Sequence, residues 1–265
     1  MSDFEFLQKY VRLQQGIMFD EVINLGFALV GYSLTDKSGY WNNALTNKVL
    51  NRTEISRIEE LLTSKGRNPS VYFENNFELK PLAETLTELG FKKEWEDCWQ
   101  FWDKEKLDNR FFESVREVKT PEDLKVFLNT FNSCYQKDDP KNPYGELGDY
   151  LRVAESVWHK HRGTKRLEYF IAFRESEPVA VSTLTNFEHI GYISNVGSLK
   201  EVRGKGYGKA ATLFCVDRSI QNGNLEHCLA TEEDAYPNEF YKRIGFMTRF
   251  TAKGYTRKIY NLTER

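Results

Sequence analysis

The chain has 265 residues, 40% of them hydrophobic and 29% charged, which suits two modest globular domains that each bury a core. Its formal charge of −2 gives no footing for general binding to nucleic acid or to an anionic membrane. The first 110 residues carry a net −4 and the remainder +2, an asymmetry too small to name a partner.

In chain order, the opening MSDFEFLQKY lacks the basic start and apolar run of a signal peptide. No stretch approaches the roughly 20 apolar residues of a membrane span, so the expected compartment is the cytoplasm, with no membrane partner. The first half reads as a strand, Gly26–Tyr32, a helix over Thr53–Ser64 and a strand, Ser70–Glu74. A helix over 80–89 follows, closes on Gly90-Phe91 and leads to a strand-like Trp95–Trp102. The charged run DKEKLDNR then marks a linker at 103–113, dividing a domain at 1–102 from one at 114–265.

The second half punctuates more clearly. Thr120-Pro121-Glu122-Asp123 is an N-cap, a proline at the first helical position and two acids facing the helix dipole. That helix is expected to reach Cys134, and 135–145, with Pro140 and Pro143, to be a loop. A second helix is predicted over 146–162 from Leu147, Tyr150, Leu151, Ala154 and Val157. Three strands follow, Leu167–Arg174, Val179–Phe187 and Gly191–Ser198, with a turn at Glu175–Pro178 and a corner at Glu188-His189. Arg203-Gly204-Lys205-Gly206-Tyr207-Gly208 opens a helix over 207–221 that Gly223 ends. A strand, Glu226–Thr231, a short helix, Asn238–Ile244, and a terminal strand pair after Gly245-Phe246 complete the chain. Cys98, Cys134, Cys215 and Cys228 have no metal-binding spacing and read as buried free thiols, so no metal is expected.

A glycine-rich turn between strand and helix suits a pyrophosphate. Glycines let the backbone approach, amides converge, and the helix N-terminus adds favourable partial charge. Arg203 and Lys205 would add formal charge. The spacing G-x-G-x-G is neither that of a dinucleotide-binding fold nor that of a P-loop. Taken alone, the motif equally suits a tight turn with basic surface residues.

In context, residues 114–260 resemble the GNAT N-acyltransferase superfamily. Asn195-Val196-Gly197-Ser198 running into Arg203-Gly204-Lys205-Gly206-Tyr207-Gly208 is similar to the family's acyl-CoA signature, Q/R-x-x-G-x-G/A from Arg203. A helix and a strand come next, and Tyr241-Lys242-Arg243-Ile244-Gly245-Phe246 resembles the family's Tyr-x-x-x-Gly-Phe signature. The resemblance implies an α/β (α+β) fold, a mixed, centrally splayed β-sheet flanked by helices. A helix closing on Gly-Phe before a strand recurs about 155 residues apart, Gly90 to Gly245, so two tandem domains are expected, the first a degenerate copy. Gly66 and Gly90 are the only glycines between 40 and 102, too few for a phosphate cradle.

By the same resemblance, acetyl-CoA is the co-substrate. Val196, Gly197 and Ser198 line its pantetheine, and the amides of Arg203, Gly204, Lys205, Gly206, Tyr207, Gly208 and Lys209 hold its pyrophosphate. Tyr241 matches the tyrosine whose hydroxyl lies near the thioester sulfur, with a packing tyrosine as the plainer reading. Two positions depart from the family pattern. Tyr192, with Ser194 and Asn195 nearby, stands where a general-base carboxylate is common, and Asp234 stands where an Asn is common. Glu188, His189, Glu232 and Glu233 are then candidate proton acceptors, ordinary exposed loop residues being the plainer reading of each. The implied reaction is direct attack, in a ternary complex, of a primary amine of a small molecule or peptide on the thioester, with Tyr241 protonating the leaving sulfur. The alternatives are a longer acyl donor, or a non-catalytic acyl-CoA-binding sensor or scaffold.

Overall fold

A computed structural model describes residues 1–104, 106–142, 144–233 and 235–259. Pro143 and Asp234, both named above, lie outside the described residues. The chain forms two compact units, Met1–Cys98 together with the stretch from Phe250 on, and Trp99–Arg249. The division falls inside two strands, and the charged run expected as a linker lies within the second unit.

The first unit begins with α1 (Asp3–Gln14), started by a capping box in which Ser2 and Glu5 satisfy each other's backbone amides. Then come β1 (Glu21–Asn24), β2 (Leu29–Tyr32), β3 (Asn42–Leu45), α2 (Arg52–Ser64), β4 (Ser70–Glu74), α3 (Lys80–Glu88) and the start of β5 (Lys92–Trp102). Strands β1, β2 and β3 form an antiparallel meander, and β4 pairs parallel to β3, with α2 as the crossover between them. Ile55, Ile58, Leu62, Leu82 and Leu86 of the helices bury against Val30, Val71 and Phe73. Ala252–Thr256, from the far end of the chain, pair antiparallel with β4.

The second unit contains β6 (Val115–Glu117), α4 (Pro121–Cys134), α5 (Tyr150–His161), β7 (Leu167–Arg174), β8 (Glu177–Phe187) and β9 (Ile190–Ser198). These are followed by α6 (Tyr207–Gln221), β10 (Glu226–Glu232), α7 (Tyr236–Ile244) and the start of β11 (Phe246–Thr256). The strand order is β6-β7-β8-β9-β10, with the end of β5 next to β10. One face carries α4 and α5, where Phe127, Phe131 and Trp158 meet Tyr169, Ile171 and Val181. The other carries α6 and α7, where Ala211, Val216 and Tyr241 meet Phe170, Leu184 and Ile193.

Thr120 caps α4 through a reciprocal capping box with Asp123. Helix α5 starts at Tyr150 rather than 146, because Gly145 and Gly148 adopt left-handed φ of +70° and +48°. In place of the expected terminal strand pair there is one unbroken strand, β11, and its hydrogen-bonded neighbours come from earlier in the chain. All four cysteines are free and buried.

His227 on β10 shares its Nδ1 with the Ser219 hydroxyl of α6 at 2.8 Å, and burial lowers its pKa below the ordinary histidine value. Above the unfolded pKa of about 6.5 the ring is neutral in both states and contributes no pH dependence. As pH falls below that value the unfolded chain takes up the proton first, so stability declines toward acid. Thermal melts should therefore lose less between about pH 6.5 and 5 in His227→Gln than in the wild type. An unchanged slope would place that pH sensitivity elsewhere.

Candidate functional site

The centre of the second unit is an opening in its sheet. β9 and β10 run parallel, but only Ile190–Tyr192 pair with Glu226–Cys228, although β9 extends to Ser198 and β10 to Glu232. On the other side, β9 pairs with β8 through a register shift between Val181 and Thr183. The extra residue falls at Asn195, whose φ of +53° is left-handed. This is a β-bulge, and it turns the strand that follows away from β10. Asparagine tolerates this backbone because its short amide finds local partners. Here the Asn195 Nδ2 donates to Thr183 Oγ1 at 3.1 Å, and its Oδ1 accepts from the Tyr150 hydroxyl at 3.0 Å. Gly197 is required by packing, since a Cβ there would lie 2.6 Å from the Cβ of Cys134.

Beyond Ser198 the chain passes through the glycine-rich turn into α6. Gly204 and Gly206 have φ of +79° and +98°, and Gly206 is the N-cap. No side chain caps this helix, so its first amides are presented to whatever occupies the turn. A Cβ on Gly206 would also sit 3.1 Å from the Phe111 ring, whereas one on Gly208 would meet only ordinary contacts, 3.5 Å from Ser198. The basic side chains have partners of their own. Both Nη atoms of Arg203 engage the Asp139 carboxylate, Nη1 at 2.7 Å from Oδ1. Lys209 pairs with Asp108 at 2.6 Å, and Lys205 is exposed. Arg203 thus faces a carboxylate instead of offering its guanidinium to the turn.

Tyr241 opens the last turn of α7, is 8% exposed, and packs edge-on to Phe246. Burial raises its pKa, so its hydroxyl stays protonated. Tyr135, at the end of α4, donates to the Val196 carbonyl at 2.9 Å and is likewise raised by burial, with Tyr241 and Tyr144 among the groups that act on it. Tyr135, Tyr144 and Tyr150, from the α4–α5 connection, therefore border the bulge. Sequence reading placed Tyr150 at helical spacing and gave none of the three a part in the site, because their meeting with the bulge follows from a loop that carries no motif.

The proton-acceptor candidates separate. Glu188 and His189 form the hairpin turn before β9, at the strand end opposite Ser198, with left-handed φ of +44° and +68°. Glu232 ends β10 on the side of the opening; it is exposed, and desolvation by its surroundings raises its pKa. Glu233 follows it and is exposed. Tyr192 is buried, its ring 5.9 Å from that of Trp99, and Ser194 pairs with Thr183 on β8. Among the described residues no cluster of His, Cys, Asp or Glu is arranged to hold a metal, and no helix is long and apolar enough to cross a membrane.

The matching crossover of the first unit differs in chemistry. β3 and β4 stay paired through Leu45 and Tyr72, and the Thr46 amide adds a further bond to the Tyr72 carbonyl. Asn51 caps α2 in a capping box with Glu54, whose carboxylate also binds Lys48. That helix N-terminus is filled by its own side chains.

A mixed sheet that opens between two parallel strands, with a glycine turn and an uncapped helix joining them, defines the N-acyltransferase class of fold. Residues 124–246 match the acetyltransferase (GNAT) family, so the second unit carries a GNAT acyltransferase domain. A GCN5-related N-acetyltransferase from Kribbella flavida superposes with a TM-score of 0.68 at 16% identity, covering 97% of each chain. One from Sphaerobacter thermophilus gives 0.61 at 11% identity, over 94% of this chain and 84% of that one. A tandem GNAT protein from the clavulanic acid biosynthesis pathway gives 0.55 at 12%, over 86% and 77%. No curated protein matches in sequence.

The bulge generates a prediction. Asn195→Gly should leave thermal stability nearly unchanged or slightly lower, since glycine accepts a left-handed φ. Asn195→Val places a β-branched residue there and should cost about 1–2 kcal/mol. Equal melting temperatures for the two variants would show that the strand relaxes into another register.

Proposed function

We propose that the chain transfers an acetyl group from acetyl-CoA to a primary amine of a small molecule or peptide, in a ternary complex at the opening between β9 and β10. The observation that carries this reading is the coincidence of that opening with the uncapped N-terminus of α6. Val196, Gly197 and Ser198 have no partner on β10, although the Val196 carbonyl accepts from Tyr135, and this open strand side suits the amide-bearing pantetheine arm, which binds there as an added strand would. Within the turn from Arg203 to Lys209, the amides of Arg203 and Lys205 bond the Lys200 and Val202 carbonyls, and those of Gly204 and of Gly206 to Lys209 suit its pyrophosphate. The acceptor amine loses a proton, attacks the thioester carbonyl, and a strand amide steadies the oxyanion. Tyr241, kept protonated by burial, gives its proton to the departing sulfur.

The capped α2 and closed β3–β4 pair support the first unit as a degenerate copy of the same fold that binds no CoA. The expected stoichiometry is one acetyl-CoA per chain. Its compartment on this reading is the cytoplasm.

Calorimetry with acetyl-CoA tests the site. Gly206→Val should abolish measurable binding, because the turn loses its left-handed backbone, while Gly208→Ala should retain it. Unchanged affinity in Gly206→Val would remove the assignment. Free-thiol release from acetyl-CoA across a panel of amines and peptides tests turnover. With an amine that is turned over, Tyr241→Phe should lose rate toward the lower part of the roughly 10²–10⁴ range for a positioned proton donor. Its acetyl-CoA affinity and melting temperature should stay near those of the wild type. A Phe variant with undiminished chemistry would leave Tyr241 a packing residue.

A further inference from the structure

The described residues of the connection between α4 and α5, 135–142 and 144–149, form no helix or strand and include two left-handed glycines. Such a segment keeps one conformation only where specific contacts hold it. Leu147 packs on the core beneath α4 and α5, Lys141 lies over the Tyr236 ring, and three polar contacts add to these. At its two ends, the Tyr135 hydroxyl donates to the Val196 carbonyl and the Tyr150 hydroxyl to Asn195. Between them, the Asp139 carboxylate receives both Nη atoms of Arg203. The Asp139 side chain is 2% exposed and that of Arg203 16%, so this is a buried, two-pronged ion pair. The loop is organised around the same residue. Asp139 Oδ1 also accepts the Lys141 amide at 3.1 Å, and its carbonyl accepts the Asn142 amide at 2.9 Å. Asn142 then reaches the Gly145 carbonyl at 2.7 Å.

Arg203 is the first residue of the glycine-rich turn. The loop that carries Tyr144 is therefore fastened to the same turn that the cofactor's pyrophosphate is proposed to occupy. We propose that the Arg203–Asp139 pair is a positioning device, which transmits occupancy of the 203–209 turn to the α4–α5 loop that carries Asp139 and Tyr144. This rests on the reading of that turn as the acetyl-CoA site. An anion seated on the turn's amides fixes the backbone that carries Arg203, and the guanidinium carries that order to Asp139. The Arg203 side chain is then a structural link, and the pyrophosphate is held by amides.

Hydrogen exchange of the full chain, with and without acetyl-CoA, reads the coupling directly and needs no acceptor. In the wild type, saturating acetyl-CoA should slow exchange across 136–149 by about tenfold, within the ordinary range of coupling between two sites. Asp139→Ala should bind acetyl-CoA within about threefold of wild type by calorimetry, while in it and in Arg203→Ala the loop's protection no longer responds. Because breaking a buried pair leaves one charge unpartnered, the apolar double variant Arg203→Met with Asp139→Leu gives the same reading in a packed background. It should resemble either single variant, with no additive loss. The proposal is overturned if Arg203→Ala loses affinity about tenfold and Asp139→Ala does not, which would make Arg203 a phosphate ligand. It is also overturned if the wild-type loop does not respond to bound acetyl-CoA, or if the double variant still responds. A wild type that binds no acetyl-CoA fails at the calorimetric step, and that failure belongs to the reading of the turn itself.

Discussion

At Asn195 the backbone turns left-handed, with φ of +53°, inside a strand that is otherwise extended. One residue more than β8 can pair is accommodated there, and Val196, Gly197 and Ser198 leave the register that Ile190–Tyr192 share with β10. Backbone amides and carbonyls inside a sheet are normally spent on the neighbouring strand. Here they are released at one place, between parallel strands, beside a helix whose own first amides are unspent. The bulge is held by side chains from two directions, Thr183 on β8 and Tyr150 at the start of α5. The opening is thus built into the packing of the unit, with no ligand needed to create it.

The two units show how the same connection takes opposite chemical characters. In each, a helix crosses between two parallel strands. In the first, Asn51 and Glu54 close the helix N-terminus, and β3 stays paired with β4 to its last residue, Leu45. In the second, a glycine at the cap withholds any side chain, and the strands part. An N-terminus satisfied by a carboxylate has no attraction left for a phosphate. An asparagine and a glutamate in the first turn suffice to make that difference.

Much of the second unit is legible in the sequence because local signals agree there. Thr120-Pro121 starts α4, Gly206 and Gly223 bracket α6, and the β-branched and aromatic run over Leu167–Arg174 is a strand. The first unit is less legible. β3 is Asn-Asn-Ala-Leu, a poor strand by propensity, and it is held by tertiary bonds. Asn42 receives the Ser33 amide and donates to the carbonyls of Asp36 and Ser38. β6 is three residues long and exists because β7 lies beside it. The turn was readable from Gly204 and Gly206, since left-handed backbone leaves a mark in sequence, whereas the bulge falls on an asparagine and Gly197 answers to packing against Cys134. The partners of Arg203 and Lys209 were not readable, because Asp139 and Asp108 reach them from about 64 and 101 residues away in the chain. No periodicity or spacing records such a meeting.

Those partners bear on how the site attracts an anion. With Arg203 committed to Asp139 and Lys209 to an Asp108 shared with Arg110, the exposed Lys205 is the turn's basic side chain without an ion pair among the described residues. Beside it stands the fixed field of uncapped amides, which acts over the first turn of the helix and requires close approach. On the proposed reading, affinity then depends on the shape of the glycine turn more than on long-range steering, and it is weakly sensitive to salt. The reacting end follows the same pattern. Tyr135 and Tyr241 are hydroxyls kept neutral by burial, so neither ionises near neutral pH. A rise in rate with pH would then report the deprotonation of the acceptor amine, or of a carboxylate such as Glu232, whose pKa is already raised. The position of that limb would separate the two: an amine titrates near its own solution value, about 10 for a lysine-like acceptor, and a carboxylate several units lower.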